Sequence, residues 1–446
     1  MPAPTVLIGS LRYKKNDHHM IAVPYYSGFE QAHDTYNAIG AASDGNIYYV
    51  LCSESPYEGG KVCRYDPRLD KTEILADLTE ICGEHHARAV PQGKSHVEFY
   101  ERDGKLWFAT HVGFYEIIEG MDRLPENPPG GLGRYPGGHI LSYELSSGKF
   151  TDHAIAPHGE GILTMVLDAV RGFIYALTWP SGYFLSYCIE TGKLTEHGTV
   201  SERGEAGIPG SDYRVLCRSL LVDPRDGVVY LSTSEGDVIA YRPGAPQPEK
   251  LAGVDLRLDY FGKYDPCSPG SMGYNWRKIL WYEPEEVAYG VHGNSGYLFR
   301  FDPRRPGVEL VERITSLPSK KSGMFDQFSY GYLGFQLAPR DGTLYYLTGA
   351  PVYRNGKRVA GVDQIAKGAA RGLEHLHLVT YCIPNGQYKD HGPVLYADGG
   401  IPTYVNSIAL GPDRHLYTLA RFEHQGKTIQ DLIRFPNPLA NGASEK

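Results

Sequence analysis

His96 and His111 flank a run that reverses at Asp103-Gly104, and a hairpin folded there sets Ser95-His96 opposite Thr110-His111 at its open end. Two imidazoles side by side can transfer protons near neutral pH or bind a metal, because each carries two nitrogens of switchable role. Tyr213 adds a phenol able to donate or receive a proton, and Arg218 a guanidinium that clamps a carboxylate through paired hydrogen bonds. The four together fit acid–base chemistry on a uronic acid.

Further polar residues occupy equivalent sequence positions, at the start of an innermost strand or the end of a second one. They are His33, Trp179, Tyr274, Asn275, Arg277, His292, Asn294 and Tyr330, and they are the candidate substrate contacts. Polar groups at strand starts facing a central channel are unexpected for packing alone, which favours small and β-branched residues. Four arginines at this rim, Arg214, Arg218, Arg277 and Arg421, suit either an anion pocket or salt bridges between neighbouring sheets. His85 and His86 beside Cys82 invite a zinc reading, but only one ligand pair of acceptable spacing is local, so the metal site stays unassigned.

These residues need a scaffold, and the sequence supplies a repeat. One phrase recurs seven times: a turn, commonly Asp-Gly, then two residues and an aromatic within a short β-run. The turns are at Asp44-Gly45, Asp103-Gly104, Arg171-Gly172, Asp226-Gly227, Glu285-Glu286, Asp341-Gly342 and Asp413-Arg414; the fifth and seventh lack the glycine. Asp-Gly between apolar runs marks a tight hairpin, since glycine accepts the positive φ of a type I′ turn. A third strand closing on an aromatic and a fourth, more polar strand follow most copies.

The expectation is all-β: a single seven-bladed β-propeller over 1–446. The blades fall near 33–80, 94–156, 160–200, 213–255, 272–315, 325–395 and 402–436, with 4–10 expected to close the ring as the outer strand of the last blade. Composition agrees, with 41% hydrophobic residues, 53 glycines and 34 tyrosines suiting short strands and tight turns.

A net charge of -8 argues against nucleic acid as the main partner. No apolar run reaches the length of a membrane span, so no membrane partner is expected. Met1 to Ser10 has no basic segment leading into an apolar run, which reads as a cytoplasmic chain, or a periplasmic or secreted one if a leader preceded it. Seven scattered cysteines, an odd number, do not form a disulfide framework.

Lys94-Ser95-His96, the strand end Phe108-Ala109-Thr110-His111 and a downstream tyrosine and arginine, set on such a propeller, resemble the propeller polysaccharide lyases, the ulvan and oligogalacturonate lyases. The resemblance implies β-elimination of an anionic glycan: a base removes the C5 proton of a uronate, a cation neutralises its carboxylate and an acid protonates the departing O4. Carried over, His96 and His111 act as base and carboxylate or proton partner, Tyr213 as the other proton carrier and Arg218 as neutraliser. Tyr183, Tyr187 or Tyr274 could replace Tyr213. This mechanism requires no cofactor, with a divalent ion such as calcium, manganese or zinc as the open alternative. A propeller glycoside hydrolase would use opposed acids such as Asp34, Asp326 or Glu160. A metal-dependent lactonase and a non-catalytic binding propeller are the remaining readings. The segments 124–138 and 354–372 are expected to overhang the site, with Tyr135 and Trp179 stacking on sugar rings.

Overall fold

The computed structural model describes residues 6–8, 11–13, 20–33, 36–270, 272–322, 334–351, 353–354, 357–358 and 374–440. Within them every one of the seven expected turns joins two antiparallel strands. Gly45, Gly104, Gly172, Gly227 and Gly342 all take positive φ there. Where glycine is missing, Glu286 (φ 52°) and Arg414 (φ 64°) occupy the left-handed region instead, a conformation that costs an ordinary side chain some strain. The aromatic of the phrase offsets this by reaching back to the acid of its turn. Tyr289 donates to Glu285 (2.9 Å), Tyr417 to Asp413 (2.7 Å), and Tyr48 does the same to Asp44 (2.8 Å).

The hairpins grow into five four-stranded antiparallel sheets and one eight-stranded sheet. In sequence order, the first four-stranded sheet has strands Ile39–Ala41, Ile47–Leu51, Lys61–Asp66 and Lys71–Asp77. The second has Tyr100–Arg102, Lys105–Ala109, His139–Glu144 and Lys149–Ile155. The third begins at Gly161–Asp168 and Phe173–Trp179, the fourth at Leu221–Val222 and Val229–Ser232, and the fifth at Trp276–Tyr282 and Val287–His292. Such a succession of consecutive meanders is the organisation of a β-propeller.

Burial grades across each sheet. Ile47–Leu51 is buried throughout, whereas the outer Lys71–Asp77 and Lys193–Thr199 are largely accessible. The central strands carry the cores that pack sheet on sheet, with Phe108, Tyr175, Phe184, Trp276 and Phe299 nearly inaccessible. Fully burying one such side chain contributes roughly 1.5–3 kcal/mol.

The strand beside the last sheet is a correction to the sequence reading. Val6–Ile8 pairs with Leu11–Tyr13 as a separate hairpin, not with the final sheet. Met20–Pro24 takes the expected place, antiparallel to Lys427–Pro436 through Val23↔Arg434 and Pro24↔Ile433, and parallel to Gln387–Tyr396. Its alternation suits the position, since Met20 and Ala22 are buried while Ile21 and Val23 face out. The chain leaving it is then anchored: Ser27 donates through its backbone N–H (2.8 Å) and its hydroxyl (2.7 Å) to the buried carboxylate of Asp431. Among the described residues no helix is long and apolar enough to cross a membrane, and all seven cysteines are free.

Candidate functional site

The second sheet sets the histidines. Lys94 and His111 exchange backbone hydrogen bonds (2.9 and 2.7 Å) beyond the regular ladder, which extends the hairpin past Tyr100 and Ala109. The imidazoles of His96 and His111 consequently stack, with centroids 4.3 Å apart and planes at 24°. Tyr36, from the loop entering the first sheet, stacks on the other face of His96 at 3.9 Å. His111 also lies against the backbone of Gly161, where a Cβ would come within 2.9 Å of the imidazole; only glycine allows that approach.

His111 has a defined tautomer. Its Nδ1 stands 2.8 Å from the carbonyl oxygen of Val112, an acceptor only, so Nδ1 carries the proton and Nε2 the lone pair. Tyr115 Oη is 3.4 Å from the same nitrogen. Burial pushes the Tyr115 phenol above the ordinary tyrosine range, with the nearby Lys94 ammonium opposing. Lys94 itself is inaccessible; its Nζ pairs with Glu54 (2.8 Å) and lies 5.2 and 4.9 Å from the ring centres of Tyr36 and Tyr115.

Across from the histidines, a single-turn helix at Gly204–Ala206 presents Glu205, whose carboxylate accepts from Arg218 Nη2 (2.6 Å), Trp179 Nε1 (2.8 Å) and the Leu216 amide (3.1 Å). One buried acid thus orients both Trp179 and Arg218. His96, His111, Tyr213, Arg218, Arg277 and Trp179 line a cavity of about 450 Å³ together with Tyr36, Tyr115 and Glu205. A hairpin of Glu116–Ile118 and Met121–Arg123 contributes Ile117, Met121 and Asp122 to the same cavity. Its Arg123 donates to the carbonyls of Glu205 and Gly207, tying the hairpin to the turn that holds Arg218.

The remaining candidates stand elsewhere. His33 is half-exposed and faces Glu54 at 3.4 Å. Tyr274 accepts from the Tyr264 amide (3.3 Å) and packs beside a core cluster. Asn275 is a structural clamp: its amide donates to Val215 and Met272 carbonyls and its oxygen accepts from Ser232. Asn294 donates to the Gly273 carbonyl (2.9 Å). His292 is buried flat on Phe261, with centroids 4.1 Å apart, and burial lowers its pKa to about 3. Tyr330, like Asp34 and Asp326, lies outside the described residues.

Tyr135 is buried and donates to Gln92 (2.6 Å), which removes it from sugar stacking, and most of 354–372 lies outside the described residues. Glu160 is occupied by Thr178 and the Ser181 amide. Arg214 pairs with Glu235, and Arg421 lies over the Tyr404 ring at 4.6 Å. The His85 and His86 rings are 3.6 Å apart, while the buried Cys82 thiol faces His139 and is raised to about 11 by burial. Among the described residues no group of three His, Cys, Asp or Glu side chains is arranged to hold a metal ion.

Sequence reading missed Tyr36, Tyr115 and Glu205. Tyr115 follows His111 closely in Val112-Gly113-Phe114-Tyr115, a signal available to a search of the strand exit; Glu205 sits in a turn with no periodicity to mark it.

No family model and no curated protein matches the sequence. Among solved structures, the chain is similar to one in the crystal structure of the Mitotic Checkpoint Complex, at 10% identity and TM-score 0.49, covering 97% of this chain and 99% of that one. It is also similar to a putative 6-phosphogluconolactonase from Bacteroides uniformis, at 13% identity and TM-score 0.45, covering 88% of this chain and 93% of the other.

Proposed function

We propose that the chain is a seven-bladed ring and that its cavity is the active site of a lyase cleaving a uronate-containing glycan by β-elimination. The eight-stranded sheet then counts as two blades, meeting where Met20–Pro24 runs beside Gln387–Tyr396. The observation that carries the catalytic reading is the convergence of the stacked His96–His111 pair with Arg218, Arg277 and Tyr213 on one cavity.

In this reading His111 Nε2 removes the C5 proton, because Val112 holds the other nitrogen protonated. The electron pair of the C5–H bond becomes the C4=C5 double bond as the C4–O4 bond breaks. Tyr213 gives its proton to the departing O4. Arg277 and Arg218 face the carboxylate, whose developing enolate charge must be stabilised as the proton leaves. Glu205 fixes Arg218 before substrate arrives, so little reorganisation remains. His96, stacked between Tyr36 and His111, holds the base in its plane.

The test is release of unsaturated uronate, followed by its ultraviolet absorption, from ulvan, pectic and glucuronate-capped oligosaccharides with and without chelator. Substituting His96→Ala or Arg218→Ala is expected to reduce that release by about 100-fold or more with the fold intact. Full activity in both folded variants would sink this site.

A further inference from the structure

The Lys94 side chain is wholly inaccessible. A buried ammonium is costly unless it is well partnered, and nothing in the β-ladder asks for one here. The pairing of Lys94 with His111 runs through backbone atoms alone. The side chain is no part of the cavity lining either, so it does not meet a bound carboxylate. An unbranched apolar side chain such as methionine would fill the space at lower cost.

The ammonium instead meets the back of the site. Glu54 accepts a hydrogen bond from Nζ (2.8 Å), and Nζ lies over two rings, 5.2 Å from the centre of Tyr36 and 4.9 Å from that of Tyr115. Both distances fall inside the roughly 6 Å reach of a cation–π contact, which strengthens where water is excluded. Each ring in turn touches one histidine. Tyr36 stacks on His96 with planes at 18°. Tyr115 brings its Oη to 3.4 Å from His111 Nδ1 and stands edge-on, at 87°, to Trp179. Neither tyrosine belongs to a strand, so no ladder fixes them.

We infer that Lys94 is a positioning residue whose buried ammonium clamps Tyr36 and Tyr115, the two aromatic braces of the His96–His111 pair. The catalytic meaning of the clamp rests on the lyase reading; the clamp itself is a matter of geometry. Displacing a reacting group by about 1 Å can cost about 100-fold in rate. The charge therefore acts on the chemical step, while substrate binding falls to Arg218 and Arg277 in that reading.

The experiment compares wild type with Lys94→Met, with Lys94→Arg, and with Lys94→Met combined with Glu54→Gln. The double variant leaves no carboxylate without its cation, and so carries the test where the single one does not fold. Each folded protein is measured twice: kcat and KM for release of unsaturated uronate, and NMR of isotope-labelled imidazoles, assigned with His96→Gln and His111→Gln. Lys94→Met is expected to lower kcat by about 10-fold or more with KM little changed, and to shift the ring resonances of His96 and His111 as their neighbours reorient. Arginine keeps the charge and stacks on aromatic faces, so Lys94→Arg is expected to restore both. Unchanged His96 and His111 resonances in the uncharged variants would overturn the clamp. A raised KM with kcat intact would do the same, as would a folded arginine variant no better than the methionine one. If wild type releases no unsaturated product from any glycan, the lyase reading fails and the imidazole spectra alone decide the clamp.

Discussion

His111 and His292 arise from the same sequence logic and meet opposite fates. Each ends the second strand of its sheet, where polar residues gather. His111 lines a cavity, with its Nδ1 proton directed to a carbonyl and its ring stacked on a second imidazole. His292 lies face to face with Phe261 at 7°, its Nδ1 within 2.8 Å of the Ser295 hydroxyl. The difference comes from what covers each strand end. The turn Asp259–Phe261 seals the fifth sheet with an aromatic, whereas the strand end of the second borders a cavity lined in part by the hairpin that Arg123 ties to Glu205 and Gly207. Position at the end of a strand therefore nominates a residue, and the neighbouring connection decides whether its side chain borders the cavity or packs into the core.

The largest expected contrast is between His111→Ala and His292→Ala. The first is expected to lower turnover of unsaturated uronate by about 100-fold or more, the range for loss of a general base, together with a loss of stability, since His111 is as inaccessible as His292. The second empties a buried site beside Phe261 and is expected to cost roughly 2–4 kcal/mol while activity per folded molecule holds. Parallel denaturation curves and initial rates separate them; equal loss of turnover in both would erase the distinction.

The same contrast shows what was legible beforehand. The turns at Asp44-Gly45 and Asp103-Gly104 announce themselves because glycine answers a backbone demand. The fifth and seventh are readable without it because an acid and an aromatic keep their spacing, as Glu285–Tyr289 and Asp413–Tyr417 do. The pairing of His96 with His111 follows from hairpin geometry. Val6–Ile8 and Met20–Pro24, by contrast, are both short apolar runs, and only the partner strand distinguishes them. Glu205 stayed hidden because a single turn has no period, and Asn275 misled because a side chain's direction depends on packing from a different sheet.

Asn275 and Arg277 sharpen the comparison within three residues. Asn275→Ala leaves the carbonyls of Val215 and Met272 and the Ser232 hydroxyl without that partner, and is expected to cost roughly 1–3 kcal/mol of stability. Arg277→Ala removes a guanidinium from the cavity and is expected to raise KM roughly 10-fold or more, the size of one lost charge-assisted hydrogen bond. A KM change in the asparagine variant with stability untouched would return Asn275 to the site.

The smallest effect is a change in the pH dependence of stability, and it sets His292 against His139. Burial lowers the His292 pKa to about 3. Below its ordinary range the unfolded ring therefore takes a proton that the folded ring refuses, and stability falls as pH drops from about 6.5 toward 3. His139 is buried as well, which alone would lower its pKa, but hydrogen bonds that the ring donates to Asp152 and Glu84, with Cys82 beside it, outweigh burial and raise it to about 11. Nδ1 and Nε2 lie 2.9 and 2.8 Å from Asp152 and Glu84. Its contribution is complete below about 6.5 and is lost as pH rises toward 11, where the folded ring finally gives up its proton. Urea midpoints measured from acid to alkaline pH are therefore expected to show a flatter acid limb in His292→Leu and a flatter alkaline limb in His139→Gln. The His139 amide also donates to Thr110 Oγ1 (2.7 Å), next to His111, so the alkaline limb reports on the strand end that carries the base. An unchanged alkaline limb in His139→Gln would show that this imidazolium does not hold the site strand in place.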